Sequence, residues 1–479
     1  MGARSRRLEV RELAHPAEAL LRLAELRPAD YPVLFDSASQ GPLSRYSMLV
    51  AASGDALWLG PTGALQSSGS ATPHLRGASG FLDALERWWQ ATADASGGTA
   101  AGPDAASGGA GPVTLPPWRA GFTVFAGYEL AGEVEPSLRL PAAARDCGAF
   151  ALRTPAALVA DVASGRVLAL AESGAGAQAW LRRLEADLDA AVAAGPAVAS
   201  GWPSSIEIRE DPPEQFLERV AVVQEHILAG DLYQANLSRG WSARMPPGAG
   251  IDALYRRLRA ANPAPFAVRA SWGGLGILSS SPERLMHIDA GRISTRPIAG
   301  TRPRRQGEAD LAMARELVAH PKERAEHVML IDLERNDLGR VCEPGSVAVE
   351  DFMSVETYAH VHHIVSGVAG RLRPGVGPIA ALRAVFPGGT ITGCPKVRCM
   401  QVIGELEREG RGAYTGSIGW IGLDGDADFN ILIRTLTVAG GEIRIRAGAG
   451  IVADSVPERE LEETRVKARG VLAALVAPA

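Results

Sequence analysis

Pro321-Lys322-Glu323-Arg324-Ala325-Glu326-His327 and Glu460-Leu461-Glu462-Glu463-Thr464-Arg465 are the stretches on which the reading of this chain turns. In each, two carboxylates stand three residues apart, Glu323 with Glu326 and Glu460 with Glu463. That spacing stacks them on one face if the segment is helical. Four carboxylates offered from two helices suit a hard cation such as Mg²⁺, which takes oxygen ligands and keeps several waters. Two solvated acidic faces, balanced by Lys322 and Arg459, are the plainer alternative. Between the pairs runs Phe386-Pro387-Gly388-Gly389-Thr390-Ile391-Thr392-Gly393-Cys394-Pro395-Lys396. Its adjacent glycines free backbone amides, and Lys396 falls in the first turn of the next helix, an arrangement suited to an anion. An ordinary tight turn is the alternative there.

Working outward, 479 residues can bury a large core and allow more than one domain. With 46% apolar and 22% charged residues the composition is that of a globular protein. A net charge of −5 argues against a nucleic-acid binder, which would show a basic stripe. Four cysteines, Cys147, Cys342, Cys394 and Cys399, do not make a disulfide framework, and Cys394 and Cys399 are too far apart for a CxxC pair. No apolar run reaches membrane-spanning length, and Met1–Arg7 lacks the apolar stretch of a signal peptide. The expectation is a cytoplasmic protein.

Ala91–Pro116 is almost wholly Ala, Gly, Ser, Thr and Pro, and reads as a loop or disordered insertion. A second small-residue patch, Ala193–Pro203, divides the chain into an N-terminal region (1–205) and a second region (206–479) that interleave in one globule. Helices are expected at Phe81–Gln90, Pro213–Gly230, Ile251–Ala261, Glu308–Ala319, Lys322–Asp332, Ile379–Phe386, Pro395–Glu407 and Glu458–Leu475. Strands are expected at Tyr31–Phe35, Ser47–Ala52, Thr123–Tyr128, Asp231–Arg239, Phe266–Trp272, Gly276–Ser279, Ser417–Gly422, Asp428–Leu436 and Glu442–Ala447. The two are mixed without regular βαβ spacing, so the class is α+β.

Further residues carry chemistry. Ser281-Pro282-Glu283-Arg284 puts a carboxylate just after a strand, a common place for a general acid. Arg434 lies in an apolar strand-like run and needs an anionic partner, from a substrate or from the protein. In His360-Val361-His362-His363, alternation puts His360 and His362 on one face with no carboxylate in register, a weak zinc pattern; a substrate-contacting histidine fits better.

Together these segments resemble the chorismate-utilising enzymes, the large subunits of anthranilate synthase and aminodeoxychorismate synthase, with isochorismate and salicylate synthases more distant. The resemblance is strong over Pro213–Leu475 and weak before it. It implies a large two-sheet sandwich wrapped by helices, an active site between the sheets, and Mg²⁺-dependent displacement on the chorismate ring. Under it Glu326 and Glu463 correspond to direct metal ligands, and Glu323 and Glu460 to ligands acting through water. Glu283 corresponds to the acid that protonates the leaving hydroxyl, and His363 to a histidine close to the ring. Tyr414, Arg434, Gly450 and Lys467 correspond to positions holding the substrate carboxylates, and Gly389 and Thr390 to the turn beside the ring.

The resemblance also separates subclasses. Gln234 stands where relatives that activate water carry a lysine; an amide cannot act as that base, so ammonia is the implied nucleophile. No glutaminase pattern is present, which implies a separate glutamine amidotransferase subunit. Tyr233-Gln234-Ala235-Asn236-Leu237, Tyr414-Thr415-Gly416-Ser417-Ile418-Gly419 and Asn430-Ile431-Leu432-Ile433-Arg434-Thr435 look more like aminodeoxychorismate synthase. Pro297-Ile298-Ala299-Gly300-Thr301 has the anthranilate synthase form, and Ala299 excludes a covalent lysyl intermediate there. Leu34-Phe35-Asp36-Ser37 and Ser44-Arg45-Tyr46-Ser47 depart from the Leu-Leu-Glu-Ser motif associated with feedback tryptophan.

Overall fold

Runs such as Gly121–Ala126 and Ala149–Thr154 are buried at every position. A strand apolar on both sides has to be covered on both faces, and the chain meets that demand with two antiparallel sheets. A computed structural model describes residues 8–39, 41, 43–96, 116–143, 147–195, 202–203, 205–304, 308–319, 321–357 and 361–476. The architecture is α+β.

One sheet runs Leu8–Leu13, Arg166–Glu172, Ala156–Asp161, Tyr46–Ala51, Val33–Asp36, Phe266–Trp272, Leu275–Ser281, Thr435–Ala439, Glu442–Ile451, Gln234–Arg244, Ile208–Glu210, with Gly393–Cys394 added beside Gln234–Arg244. The other runs Ile298–Pro303, Val361–Arg371, Arg292–Thr295, Arg284–Asp289, Ala427–Asn430, Ser417–Gly422, Gly121–Ala126, Ala149–Thr154, Ala56–Leu59, Leu65–Ser68, with Ala348–Thr357 pairing Val361–Arg371. Strands from either side of residue 205 share both sheets: Ala267 pairs with Asp36, and Ser417 with Ala126.

Two of the places where the chain passes from one sheet to the other are neighbours. Leu275–Ser281 ends in the first sheet and Arg284–Asp289 begins in the second. Ala427–Asn430 ends in the second and Thr435–Ala439 begins in the first. The crossings are tied together: Ile431 N–H donates to Glu283 O (3.0 Å), Ser281 Oγ to Ile431 O (2.5 Å) and Ser280 N–H to Arg434 O (3.1 Å). The strand expected as one piece over Asp428–Leu436 is therefore two strands in different sheets. The apolar run Ile431-Leu432-Ile433 reads alike whether the chain continues straight or turns between layers.

Other expectations shift at their ends. The helix from Phe81 continues to Ala95, so Ala91–Ala95 is helical and not part of a loop; 97–115 lie outside the described residues. The acid-bearing helix runs Pro321–Gly339, longer than expected, and Glu460 and Glu463 lie on the helix Pro457–Leu472. The strand after Gly230 is Gln234–Arg244, leaving Tyr233 70% exposed. Most of 193–203, and His360, lie outside the described residues.

A buried ion pair pins these parts. Arg411 and Glu407 face each other with side chains 1% exposed, in two hydrogen bonds of 2.7 and 2.9 Å. Arg446 reaches the same carboxylate at 3.2 Å, and Ser238 donates to it from its N–H and its hydroxyl (2.8 and 2.9 Å). Burial alone would raise the Glu407 pKa; Arg411 and Arg446 overcome it and hold it at about 2. Glu407→Gln should lose about 3–5 kcal/mol at neutral pH, because it leaves buried guanidinium charge unpaired. Urea denaturation checks this, and a loss below about 1 kcal/mol would contradict it.

Candidate active site

Several of the residues singled out in the sequence gather where the chain changes sheets. Glu283 occupies the first crossing and is 6% exposed. Burial pushes its carboxyl up to about 7, against the opposing pull of the Thr390 hydroxyl, Lys467 and Arg434. Thr390 Oγ1 donates to Glu283 Oε1 at 2.7 Å. A carboxylic acid of this kind holds a proton near neutrality and can deliver it.

Arg434 occupies the second crossing. Its backbone is left-handed (φ 51°), as is that of Thr415 (φ 61°), and neither is a glycine. The two lie together: Thr415 N–H donates to Leu432 O at 2.8 Å. The Arg434 guanidinium is half-buried and forms no ion pair with any described carboxylate. Of the two partners expected for this arginine, a substrate carboxylate or a protein one, the second is not found among the described residues.

Around these two stand the rest. His363 hydrogen-bonds to the Gly300 backbone, and burial, with Arg434 adding to it, lowers its pKa to about 4, so its imidazole is neutral. Tyr414 is 7% exposed, its ring beside the Arg411 guanidinium (5.6 Å) and its hydroxyl above Gly448. Gln234 faces Gly450 so closely that a Cβ there would stand 2.4 Å from Nε2. A Cβ on Gly389 would meet Leu333 at 2.4 Å, so glycine there lets the turn pack on the acid-bearing helix. Lys467 Nζ donates to Gly448 O (3.1 Å) and pairs with Glu463 (2.7 Å).

Two expectations are corrected. Lys396 does not stand ready for an anion: its ammonium binds Asp337 and reaches Val385 O. His362 does have a carboxylate, Asp310 on the helix Glu308–Ala319, at 2.9 Å from Nε2, with Thr357 Oγ1 2.9 Å from Nδ1. His362 is thus a structural histidine on the strand face opposite His363.

The chemistry of the four glutamates, oxygen donors only, suits a hard cation. Contacts tie two of them to the site: Glu323 abuts Gly300, which meets His363, and Lys467, which acts on Glu283 as Arg434 does, pairs with Glu463. Among the described residues no three metal-ligating side chains close into one group. One or two carboxylates completed by water, the habit of Mg²⁺, is what this donor set can offer.

Other functional groups escaped the sequence reading. Glu334 and Asp337 are 4% and 3% exposed on the same helix as Glu326; burial and mutual repulsion raise the Glu334 pKa. Glu326, Leu330, Glu334 and Asp337 recur at helical spacing, a signal in hindsight that acids line a buried face. Segments 34–37 and 44–47 face a separate cavity of about 250 Å³ between the sheets. There Asp36 is engaged by Ser47 (3.1 Å), Tyr255 (3.0 Å) and Arg259 (2.6 Å).

Comparison with known proteins agrees with this picture. The family model of the chorismate binding enzymes matches residues 75–473. The chain belongs to that family. Anthranilate synthase component 1 of Streptomyces coelicolor is 45% identical over 381 residues, 75% of this chain and 74% of that protein. Aminodeoxychorismate synthase component 1 of Bacillus subtilis is 48% identical over 263 residues, about half of each (54% and 55%). The crystal structure of anthranilate synthase component I from Streptococcus pneumoniae superposes with a TM-score of 0.73 at 30% identity, over 90% of this chain and 93% of that one. The two-sheet fold is that of the chorismate-utilising enzymes. Among the described residues no helix is long and apolar enough to cross a membrane.

The raised pKa of Glu283 has a stability consequence. The unfolded carboxyl ionises near 4.5 and the folded one near 7, so the folded state is penalised as pH rises between them and stays so above. Glu283→Gln should therefore gain on wild type by up to about 3 kcal/mol at about pH 8 and by far less at about pH 5. Thermal unfolding of both proteins at the two pH values tests it; an equal difference at both would refute the buried-acid reading.

Proposed function

We propose that the protein is an aminodeoxychorismate synthase large subunit. On this reading it aminates chorismate at C4 to give 4-amino-4-deoxychorismate, a precursor for para-aminobenzoate and folate. The observation that carries it is a set of three residues: Glu283 with its pKa raised to about 7, Arg434 without an ion-pair partner among the described residues, and an amide at Gln234 in place of a base.

The substrate's two carboxylates pair with Arg434, whose planar fork suits them, and with Lys467 and the Tyr414 hydroxyl. Thr390 holds Oε1 of Glu283, so Oε2 delivers the proton to the C4 hydroxyl. That hydroxyl leaves as water. Ammonia forms the new C–N bond and gives up one proton. The neutral His363 stands beside the ring without adding charge. Glu326 and Glu463 would hold Mg²⁺ directly, with Glu323 and Glu460 acting through water. When bound, the ion would neutralise the ring carboxylate and the charge developing as the hydroxyl leaves. A glutamine amidotransferase subunit supplies the ammonia.

The second reading is anthranilate synthase component I, with attack at C2 and release of pyruvate. Ala299 and the longer match to the Streptomyces coelicolor protein favour it; the segments around Tyr233–Leu237, Tyr414–Gly419 and Asn430–Thr435 favour the first.

Product identification decides. Purified protein is incubated with chorismate, Mg²⁺ and ammonium chloride at about pH 8.5, where more ammonia is free than at neutrality, and analysed by mass spectrometry with and without an aminodeoxychorismate lyase. An aminated chorismate that yields 4-aminobenzoate only with the lyase is expected. Direct 2-aminobenzoate plus pyruvate would establish the second reading. Arg434→Lys, which keeps charge and loses the fork, should raise the chorismate KM by about tenfold or more; an unchanged KM would remove Arg434 from substrate binding.

A further inference from the structure

The strand Gln234–Arg244 presents Gln234 and Asn236 on one face of the cleft wall. Gln234 is 9% exposed. Its Oε1 and Asn236 Oδ1 are both buried and accept no hydrogen bond from any described residue. A buried acceptor left without a donor costs about 1–3 kcal/mol, so two side by side call for an explanation.

Their surroundings define what would satisfy them. Asn236 Nδ2 donates to Thr390 O at 3.4 Å, which turns Oδ1 the other way. There, a Cβ built on Gly448 would stand 2.6 Å from Oδ1 and 2.8 Å from the Tyr414 hydroxyl. Thr390 is the partner of Glu283. The two acceptors thus lie within the group of residues that carries the acid and the carboxylate-binding groups, across from Gly448 and Gly450.

We propose that Gln234 Oε1 and Asn236 Oδ1 seat ammonia, with Asn236 a specificity-determining residue for the nitrogen nucleophile. The proposal rests on the amination reading above. Two carbonyl acceptors take two of ammonia's N–H bonds and leave its lone pair free to attack. An amide takes no proton from water near neutral pH, so the same pair would hold water without activating it.

The test uses the full chain with ammonium chloride as the nitrogen source, at saturating chorismate. Asn236→Leu, similar in size and lacking the acceptor, should raise the KM for ammonia about five- to tenfold. Its KM for chorismate should stay within about twofold of wild type, and its melting temperature should not fall, since the change removes a buried acceptor without a donor. Asn236→Asp, which keeps an acceptor at the same place, should restore the ammonia KM to within about twofold of wild type. Tyr414, Thr390 and Glu283 are left intact in both. If Asn236→Leu leaves the ammonia KM unchanged, or raises only the chorismate KM, the seat is elsewhere. If Asn236→Asp behaves as Asn236→Leu, shape and not the acceptor matters, and the proposal fails. Should wild type yield no aminated product at any ammonium concentration, the amination reading falls first, an outcome separate from these.

Discussion

The buried pair of Arg411 and Glu407 is the constraint on which the cleft depends. A guanidinium has five donors in a fixed plane, and burying it is costly unless nearly all are used. Arg411 uses them on different segments: Glu407 on the helix Lys396–Glu407, Asn236 O (2.7 Å) on the strand Gln234–Arg244, and Ile391 O (3.3 Å) in the turn after Gly388. It also reaches Thr415 Oγ1 at 3.3 Å, in the loop that carries Tyr414. Its face lies over Tyr128 at 4.8 Å, and Glu129 accepts from the N–H groups of Arg411 (2.6 Å) and Gly412. One cation therefore sets the distance between the wall bearing Gln234, the turn bearing Thr390 and the loop bearing Tyr414. The strand bearing Gln234 lies far in sequence from the stretch 388–415 that supplies the turn, the helix and the loop, and no hydrophobic contact has the directionality to hold them in one register.

The two neighbouring sheet crossings that carry Glu283 and Arg434 do the complementary work of bringing those side chains to that frame. A residue inside a strand has its backbone committed to ladder hydrogen bonds and its side chain to one face. Glu283 and Arg434 lie between strands, where the chain bends from one layer to the next and side chains can point along the gap. The left-handed backbone at Arg434 is the local cost of that bend, held by hydrogen bonds between the crossings. Buried carboxyls such as Glu283 and Glu334 carry a second cost in desolvation, so the site is strained both in conformation and in charge.

Much of this was legible from residue order. The acid pairs on two helices, the carboxylate following the strand that ends at Ser281, and an arginine in an apolar run were all visible because they depend on local spacing or on a polar residue where apolar ones belong. What was not legible depends on partners far away in sequence. Lys396 looked available until Asp337, on another helix, was found against it. His362 looked unpartnered until Asp310 came within reach. The strand across Asp428–Leu436 looked continuous because hydrophobicity reports burial and not which sheet buries it. Arg411, in a short Gly-rich loop, gave no sign of its role: Glu407 is only four residues away, but Asn236, Ile391 and Tyr128 come within reach only in the fold.

On the proposed reading the electrostatics of the cleft couple substrate binding to acid strength. Burial raises the Glu283 carboxyl, while Lys467 and Arg434 pull it back down. A substrate bearing two carboxylates neutralises those cations when it binds and shuts out water as it does so. Both changes favour the protonated acid, so the pKa of Glu283 rises when the group that needs its proton arrives. In the free enzyme the same cations keep the carboxyl near neutrality, where it exchanges protons readily with solvent. The acid is thus reloaded while the cleft is open and held protonated while it is filled. This role needs Arg434 and Lys467 close enough to Glu283 to be felt, yet free to take the substrate. Arg434, without an ion-pair partner among the described residues, meets the second condition directly. Lys467 meets it only if Glu463 turns to another cation, as it would on ligating Mg²⁺.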